Sequence, residues 1–121
     1  MMKTDILLEK SKAFAIRIVN MYKYLVDSKK EFVISKQVLR SGTSIGANIH
    51  ESKNAESTSD FIHKKTIALK EADETQYWLE ILCSTEYISK DDYESMNKDL
   101  GEIIAMLVSS IKTLKNGKGE K

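Results

Sequence analysis

The sequence predicts an all-α protein, an up-down-up-down antiparallel four-helix bundle. Three observations carry that reading. Apolar residues recur at three- and four-residue steps in four separate segments. The connections between these segments are short, so consecutive helices must alternate in direction. No proline occurs anywhere in the 121 residues, which leaves long helices uninterrupted. A chain of this length fits one domain, residues 1–121, with one core.

The first helix is expected over about residues 5–27, with Leu7, Leu8, Phe14, Ala15, Ile18, Val19, Tyr22, Leu25 and Val26 as its apolar face. Ser28-Lys29-Lys30-Glu31 reads as a loop. Ser35 is expected as the N-cap of a second helix over about residues 36–53, with Ile34 stapled onto Leu39. Ser57 followed by Asp60 resembles a capping box and starts a third helix over about 58–84. Its inner face is Phe61, Ile62, Ala68, Leu69, Ala72, Thr75, Leu79 and Leu82. Ala68 and Ala72 are small and are expected to let the second helix lie close. Ser89 and Asp92 cap a fourth helix over about 90–115, with the seam Tyr93, Met96, Leu100, Ile103, Leu107, Ile111 and Leu114. Residues 116–121 read as a flexible basic tail.

The second helix is the unusual one. Gly42 and Gly46 lie one turn apart among Ser41, Thr43, Ser44 and Ala47. Each glycine costs a helix about 1 kcal/mol relative to alanine, and close approach of another backbone is the usual compensation. Gly46 in particular is expected to mark such a contact. The helix also carries Arg40, Asn48 and Glu51. If the second and third helices turn back near Ala55, Arg40 lies opposite Lys70 and Glu71, with Glu74 one turn on. A shielded ion pair from Arg40 to Glu71 or Glu74 is therefore expected. Small or apolar residues cover more of the second helix than one core needs, and Tyr77, Trp78 and Ile81 extend beyond the inner face of the third. That surplus points to a partner surface.

Catalytic chemistry finds little support. Asp60-x-x-His63 matches one half of a di-iron ligand set, but no second such pair exists. The one cysteine, Cys83, lies near Glu80 and Glu86, which disfavour a thiolate. No catalytic, cofactor-binding or metal-binding residue is assigned. A net charge of +1 gives no strong field for nucleic acid or a membrane. Charge is nonetheless uneven: residues 1–34 hold seven Lys/Arg against four Asp/Glu, and residues 57–86 hold three against six. The lone cysteine and the short run Ile6-Leu7-Leu8 fit a cytoplasmic protein without signal or membrane helix.

The run Ser35-Lys36-Gln37 through Leu39-Arg40-Ser41-Gly42-Thr43-Ser44-Ile45-Gly46-Ala47-Asn48-Ile49, with Glu51, resembles the signature of the 23S rRNA intervening-sequence protein family, also called the four-helix bundle protein family. The resemblance continues through Ser57, Asp60 and Phe61, through residues 67–79, and into Ile88-Ser89. Ser52 stands where many members have a glycine. The resemblance implies a small cytosolic bundle assembled as a homopentameric ring, without established enzymatic activity. It also implies kinship with the accessory protein of diversity-generating retroelements, which is strongly basic and binds nucleic acid and a reverse transcriptase.

The expected function is that of a non-enzymatic, homo-oligomeric scaffold or adaptor. Arg40, Ser41, Gly42, Ser44, Ile45, Gly46, Ala47, Asn48 and Glu51, with Glu71, Glu74 and Trp78, form its candidate packing and assembly motif. Lys36, Lys112, Lys115, Lys118 and Lys121 are candidate contacts for weak, electrostatic binding of RNA or DNA. A protein partner is a further expectation. The alternative is a ligand- or metal-binding bundle with catalytic activity, built on a polar pocket around Glu51 and His63.

Overall fold

The computed structural model describes residues 5–116. It contains α1 (Ile6–Asp27), α2 (Ile34–Ser52), α3 (Thr58–Ser84) and α4 (Lys90–Asn116), and no strand occurs among the described residues. Each helix packs on its two neighbours and not on the diagonal one, which is the arrangement of a four-helix bundle. Cross-helix contacts give the direction of every seam. Ile18 meets Gly42 while Ser11 meets Gly46, Ser41 meets Thr75 while Glu51 meets Lys64, and Lys65 meets Ser110 while Gln76 meets Asn97. Lys10 meets Glu102 while Arg17 meets Asp99. All four seams are antiparallel.

The apolar periodicity lands where the pattern places it. Phe14, Ile18 and Leu25 from α1, Val38, Ile45 and Ile49 from α2, Ala68, Ala72, Leu79 and Leu82 from α3, and Met96, Leu100, Ile103 and Leu107 from α4 form one buried core. At roughly 25 cal/mol per Å² of apolar surface buried, this core is the main stabilising term. Val19, expected on the inner face of α1, is exposed instead.

Two helix starts follow the local signals. The Ser57 Oγ accepts the Asp60 N–H at 3.0 Å, and the Ser89 Oγ accepts the Asp92 N–H at 3.0 Å. The start of α2 differs from expectation. The helix begins at Ile34, its N-cap position is Val33, and Ser35 lies buried inside the first turn. Capping comes from Glu31, whose carboxylate accepts the N–H groups of Val33, Ile34 and Ser35 at 3.2, 3.0 and 2.6 Å. Three of the four orphan donors of a helix start are thereby satisfied by one side chain, with its charge at the positive end of the dipole. Ser35 completes the lock by donating its hydroxyl to the Glu31 carbonyl at 2.8 Å. Lys30, at φ 55°, turns the chain so that Glu31 points inward.

Gly42 and Gly46 face α1. A Cβ at Gly42 would lie 2.7–2.9 Å from three side-chain carbons of the fully buried Ile18, whereas one at Gly46 would meet the Ser11 carbonyl at 3.3 Å. Ala68 and Ala72 of α3 are fully buried in the core.

Alanine at Gly42 gains about 1 kcal/mol of helix propensity but overpacks Ile18 at a cost of about 1–3 kcal/mol. Gly42→Ala should therefore destabilise the protein more than Gly46→Ala, read as a lower midpoint in urea. For Glu31, burial favours the neutral acid, but the three backbone donors and Ser35 together outweigh it and hold the carboxyl below its usual value of 4.5. A depressed carboxyl stabilises the fold above that range and loses its contribution as pH falls through the folded-state value. Glu31→Gln should thus cost about 1–2 kcal/mol at pH 7. The gap to the wild type should close in urea melts below about pH 4. A gap that persists there would remove the charge from the account.

Candidate functional site

The candidate motif occupies α2 and the facing part of α3, and the structure divides it into three lines. Gly42 and Gly46 form the contact with α1. Ser41 and Ile45 are buried toward the core, where the Thr75 hydroxyl donates to Ser41 Oγ at 2.9 Å and is also within 2.8 Å of the Glu71 carbonyl. Arg40, Ser44, Asn48 and Glu51 lie along the outer edge of the α2–α3 seam.

Two of the four outer-edge residues, Ser44 and Asn48, are engaged with their own helix. Ser44 Oγ donates to the Arg40 carbonyl at 2.7 Å, and Asn48 Nδ2 donates to the Ser44 carbonyl at 2.9 Å. Thr43 Oγ1 does the same to the Leu39 carbonyl at 2.7 Å. This back-bonding lets short polar side chains sit in a helix without an external partner. Ala47 remains exposed, and Glu51 pairs with Lys64 at 3.0 Å.

Arg40 is the hub of the outer edge. Its Nη2 donates to Glu74 Oε2 at 2.7 Å. Its Nη1 lies 3.2 Å from Glu71 Oε1 and 3.3 Å from Oε2, with hydrogen-bond geometry only to the latter, so Oε1 is buried with charge contact alone. Trp78 Nε1 donates to the same Glu74 oxygen at 3.0 Å, and Tyr77 stacks edge-on to Trp78 with ring centroids 5.0 Å apart. The Trp78 N–H first, and Arg40 second, hold the Glu74 carboxyl below its ordinary value; Glu74 and Glu71 in turn push Arg40 up. Pairing with both glutamates agrees with the helix register. The shielding expected from sequence is absent, because the Arg40 side chain is 51% exposed. Its guanidinium reaches outward over the seam, where water screens the pair.

The basic residues do not form one surface. Lys36 is exposed near the start of α2, and Lys112 and Lys115 are exposed near the end of α4, which runs parallel to α2. They therefore lie at opposite ends of the bundle. Lys118 and Lys121 lie outside the described residues. Among the described residues no group of three or more His, Cys, Asp or Glu is placed to hold a metal. Glu51 and His63 are exposed and line neither the cleft between α1 and α2 nor the two clefts on the α1–α4 side. The largest of these, about 440 Å³, runs between α1 and α2 over Ser11, Ala15, Gly46 and Ala47, with Lys12 and His50 on its lining. No helix among the described residues is long and apolar enough to cross a membrane.

Two features of this surface were not read from the sequence. One is Glu31; the other is Lys65, whose Nζ donates to Ser110 Oγ at 2.7 Å and has no carboxylate partner among the described residues. Nothing in the spacing around Lys65 separates it from the solvated lysines beside it.

Comparison with known proteins gives a consistent result. The family model for 23S rRNA-intervening sequence protein matches residues 3–109. A crystal structure from Bacteroides thetaiotaomicron VPI-5482, described as a protein of unknown function from the S23 ribosomal protein family, is 62% identical. It covers 88% of this chain and 99% of its own, with a TM-score of 0.88. No curated protein matches.

Because the Arg40 network is half-exposed, Arg40→Ala should cost only about 1 kcal/mol in a urea melt. A loss of about 3 kcal/mol or more would be that of a buried pair and would contradict this geometry.

Proposed function

The chain belongs to the 23S rRNA-intervening sequence protein family, and from that premise we propose that it is a non-enzymatic scaffold that assembles with copies of itself. The observation that carries the proposal is the distribution of apolar side chains left outside the core. Ile16 on α1 is 55% exposed, Val33 at the start of α2 is 71% exposed and Tyr77 on α3 is 55% exposed. The small-residue surplus of α2 does not itself support assembly, since Ser41, Gly42, Ile45 and Ile49 are buried against the chain's own helices. Support comes instead from these outward residues, which lie on different helices and so supply the two dissimilar patches of a head-to-tail ring. The positive balance of residues 1–34 against the negative balance of residues 57–86 favours such a contact.

The proposed state is a homopentamer in the cytoplasm, with a second, weaker activity toward RNA or DNA. Lys112 and Lys115 are exposed on the last two turns of α4, and a ring repeats them around one rim. Each site is weak and its contribution is charge alone. The α1–α2 cleft favours a second reading, a bundle that binds a small apolar ligand over Ala15 and Ala47.

Multi-angle light scattering at micromolar concentration should give a mass near five times the 13.8 kDa of one chain. A mass of one chain would overturn the assembly reading. Binding to a structured RNA and to a DNA duplex should be similar, and it should fall steeply as salt rises from about 50 to 200 mM. Lys112→Glu with Lys115→Glu should abolish it; binding that survives both, or that is insensitive to salt, would exclude this rim.

A further inference from the structure

Two helices of the bundle carry an apolar stripe on the outer face, and the charges beside the two stripes are opposite in sign. On α1, Ile16 is 55% exposed and Val19 is 36% exposed, and they lie between the exposed Lys12 and Lys23 at helical steps of four, three and four residues. On α3, Tyr77 is 55% exposed and lies between the exposed Asp73 and Glu80 at steps of four and three. None of these four charges has an ion-pair partner among the described residues, whereas Lys10, Arg17, Arg40 and Lys64 are all paired across the seams of the bundle itself. The helices α1 and α3 are diagonal in the bundle, do not pack on each other and run in the same direction. The two stripes therefore cannot meet within one chain. Their heights are related through α2, because Ile18 packs on Gly42 and the adjoining Ser41 meets Thr75. Ile18 is thus level with about residues 74–75 of α3, and the two helices rise together from there. Lys23 is then level with Glu80, Val19 comes within two residues of the level of Tyr77, and Lys12 lies about one turn from Asp73.

We propose that the outer stripe of α1 on one copy of the chain docks on the outer stripe of α3 on the next copy. The inference rests on the assembly reading and names the surfaces that meet. Copies related by rotation about an axis along the helices stay level with one another. The shared register then brings Lys23 to Glu80, Lys12 toward Asp73, and Ile16 and Val19 onto the Tyr77 ring. Each stripe repels its own kind, lysine against lysine on α1 and carboxylate against carboxylate on α3. A two-fold contact through either stripe is therefore disfavoured, and a head-to-tail contact between unlike stripes is selected. The apolar centre of the contact loses its water while the charges stay at the rim, where they set register and partner choice.

The test measures the mass of the full chain by multi-angle light scattering, with circular dichroism to show that each variant keeps its helices. Lys12→Glu with Lys23→Glu should lower the mass to the 13.8 kDa of one chain, and so should Asp73→Lys with Glu80→Lys. All four substitutions in the same chain exchange the signs of the two stripes and should restore the mass of the unaltered assembly. Reversed pairs that leave the assembly intact overturn the proposal, and so does a chain with all four substitutions that stays single. Dissociation by the α1 pair without dissociation by the α3 pair would show that α1 meets another surface, which overturns it equally. A single-chain mass for the unaltered protein is a different result: it defeats the assembly reading, and this contact with it.

Discussion

Ile18 lies directly on the backbone of Gly42, and the position of α2 depends on that contact. With no side chain at residue 42, α2 sits close enough to α1 for a fully buried branched residue to fill the space. That depth places Ser41 and Ile45 in the interior and brings the hydroxyl of Ser41 to Thr75 on α3. The outer edge then falls where Arg40 spans the α2–α3 seam to Glu71 and Glu74. One glycine thus fixes two seams, because a helix that moves toward one neighbour must be filled in on its other side. Thr43, Ser44 and Asn48 tolerate this crowded position because their polar atoms return to their own backbone.

The seams are not equivalent. Those flanking α2 are held by small residues, Gly42 and Gly46 toward α1 and Ser41 with Thr75 toward α3. The seam between α1 and α4 is the thinnest, and it carries polar straps on its surface. Arg17 reaches Asp99 at 2.6 Å and Ser95 Oγ at 3.0 Å, and Lys10 reaches Glu102. Clefts flank these straps, one of about 290 Å³ beside Met21, Ile88 and Met96 and a smaller one beside Phe14. Exposed ion pairs add little stability, so this side of the bundle is the natural place for it to open locally.

What could be read from the sequence was local or periodic. Ser57 and Ser89 announce their helices because a cap and its acceptor lie three residues apart. The core of α4 follows from its spacing alone. Arg40 could be matched to Glu71 and Glu74 because two antiparallel helices share one rise per residue. Its exposure could not be read, since that depends on how far each helix rotates about its axis. The same limit applies to Gly42 and Gly46: periodicity shows that they share a line but not that the line faces α1. Glu31 was hidden for another reason. It caps from outside the helix, across a turn set by Lys30, while Ser35 offers a more familiar signal one turn later. Lys65 carries no pattern at all; its character comes from Ser110, distant in sequence.

Four antiparallel helices are an even number, and parity has a geometric result. The first described residue, Asp5, and the last, Asn116, lie at the same end of the bundle, next to the turn between α2 and α3. The opposite end carries only the α1–α2 and α3–α4 turns, with Lys30 and Glu86 at positive φ. The bundle is therefore polar in a mechanical sense. A short bridge from residue 116 back to residue 5 would leave the core untouched, and the chain could be reopened at the α3–α4 turn, which makes these four helices a natural subject for circular permutation. By the same parity, a cargo attached at residue 5 or at residue 116 would project from one pole, leaving the other free.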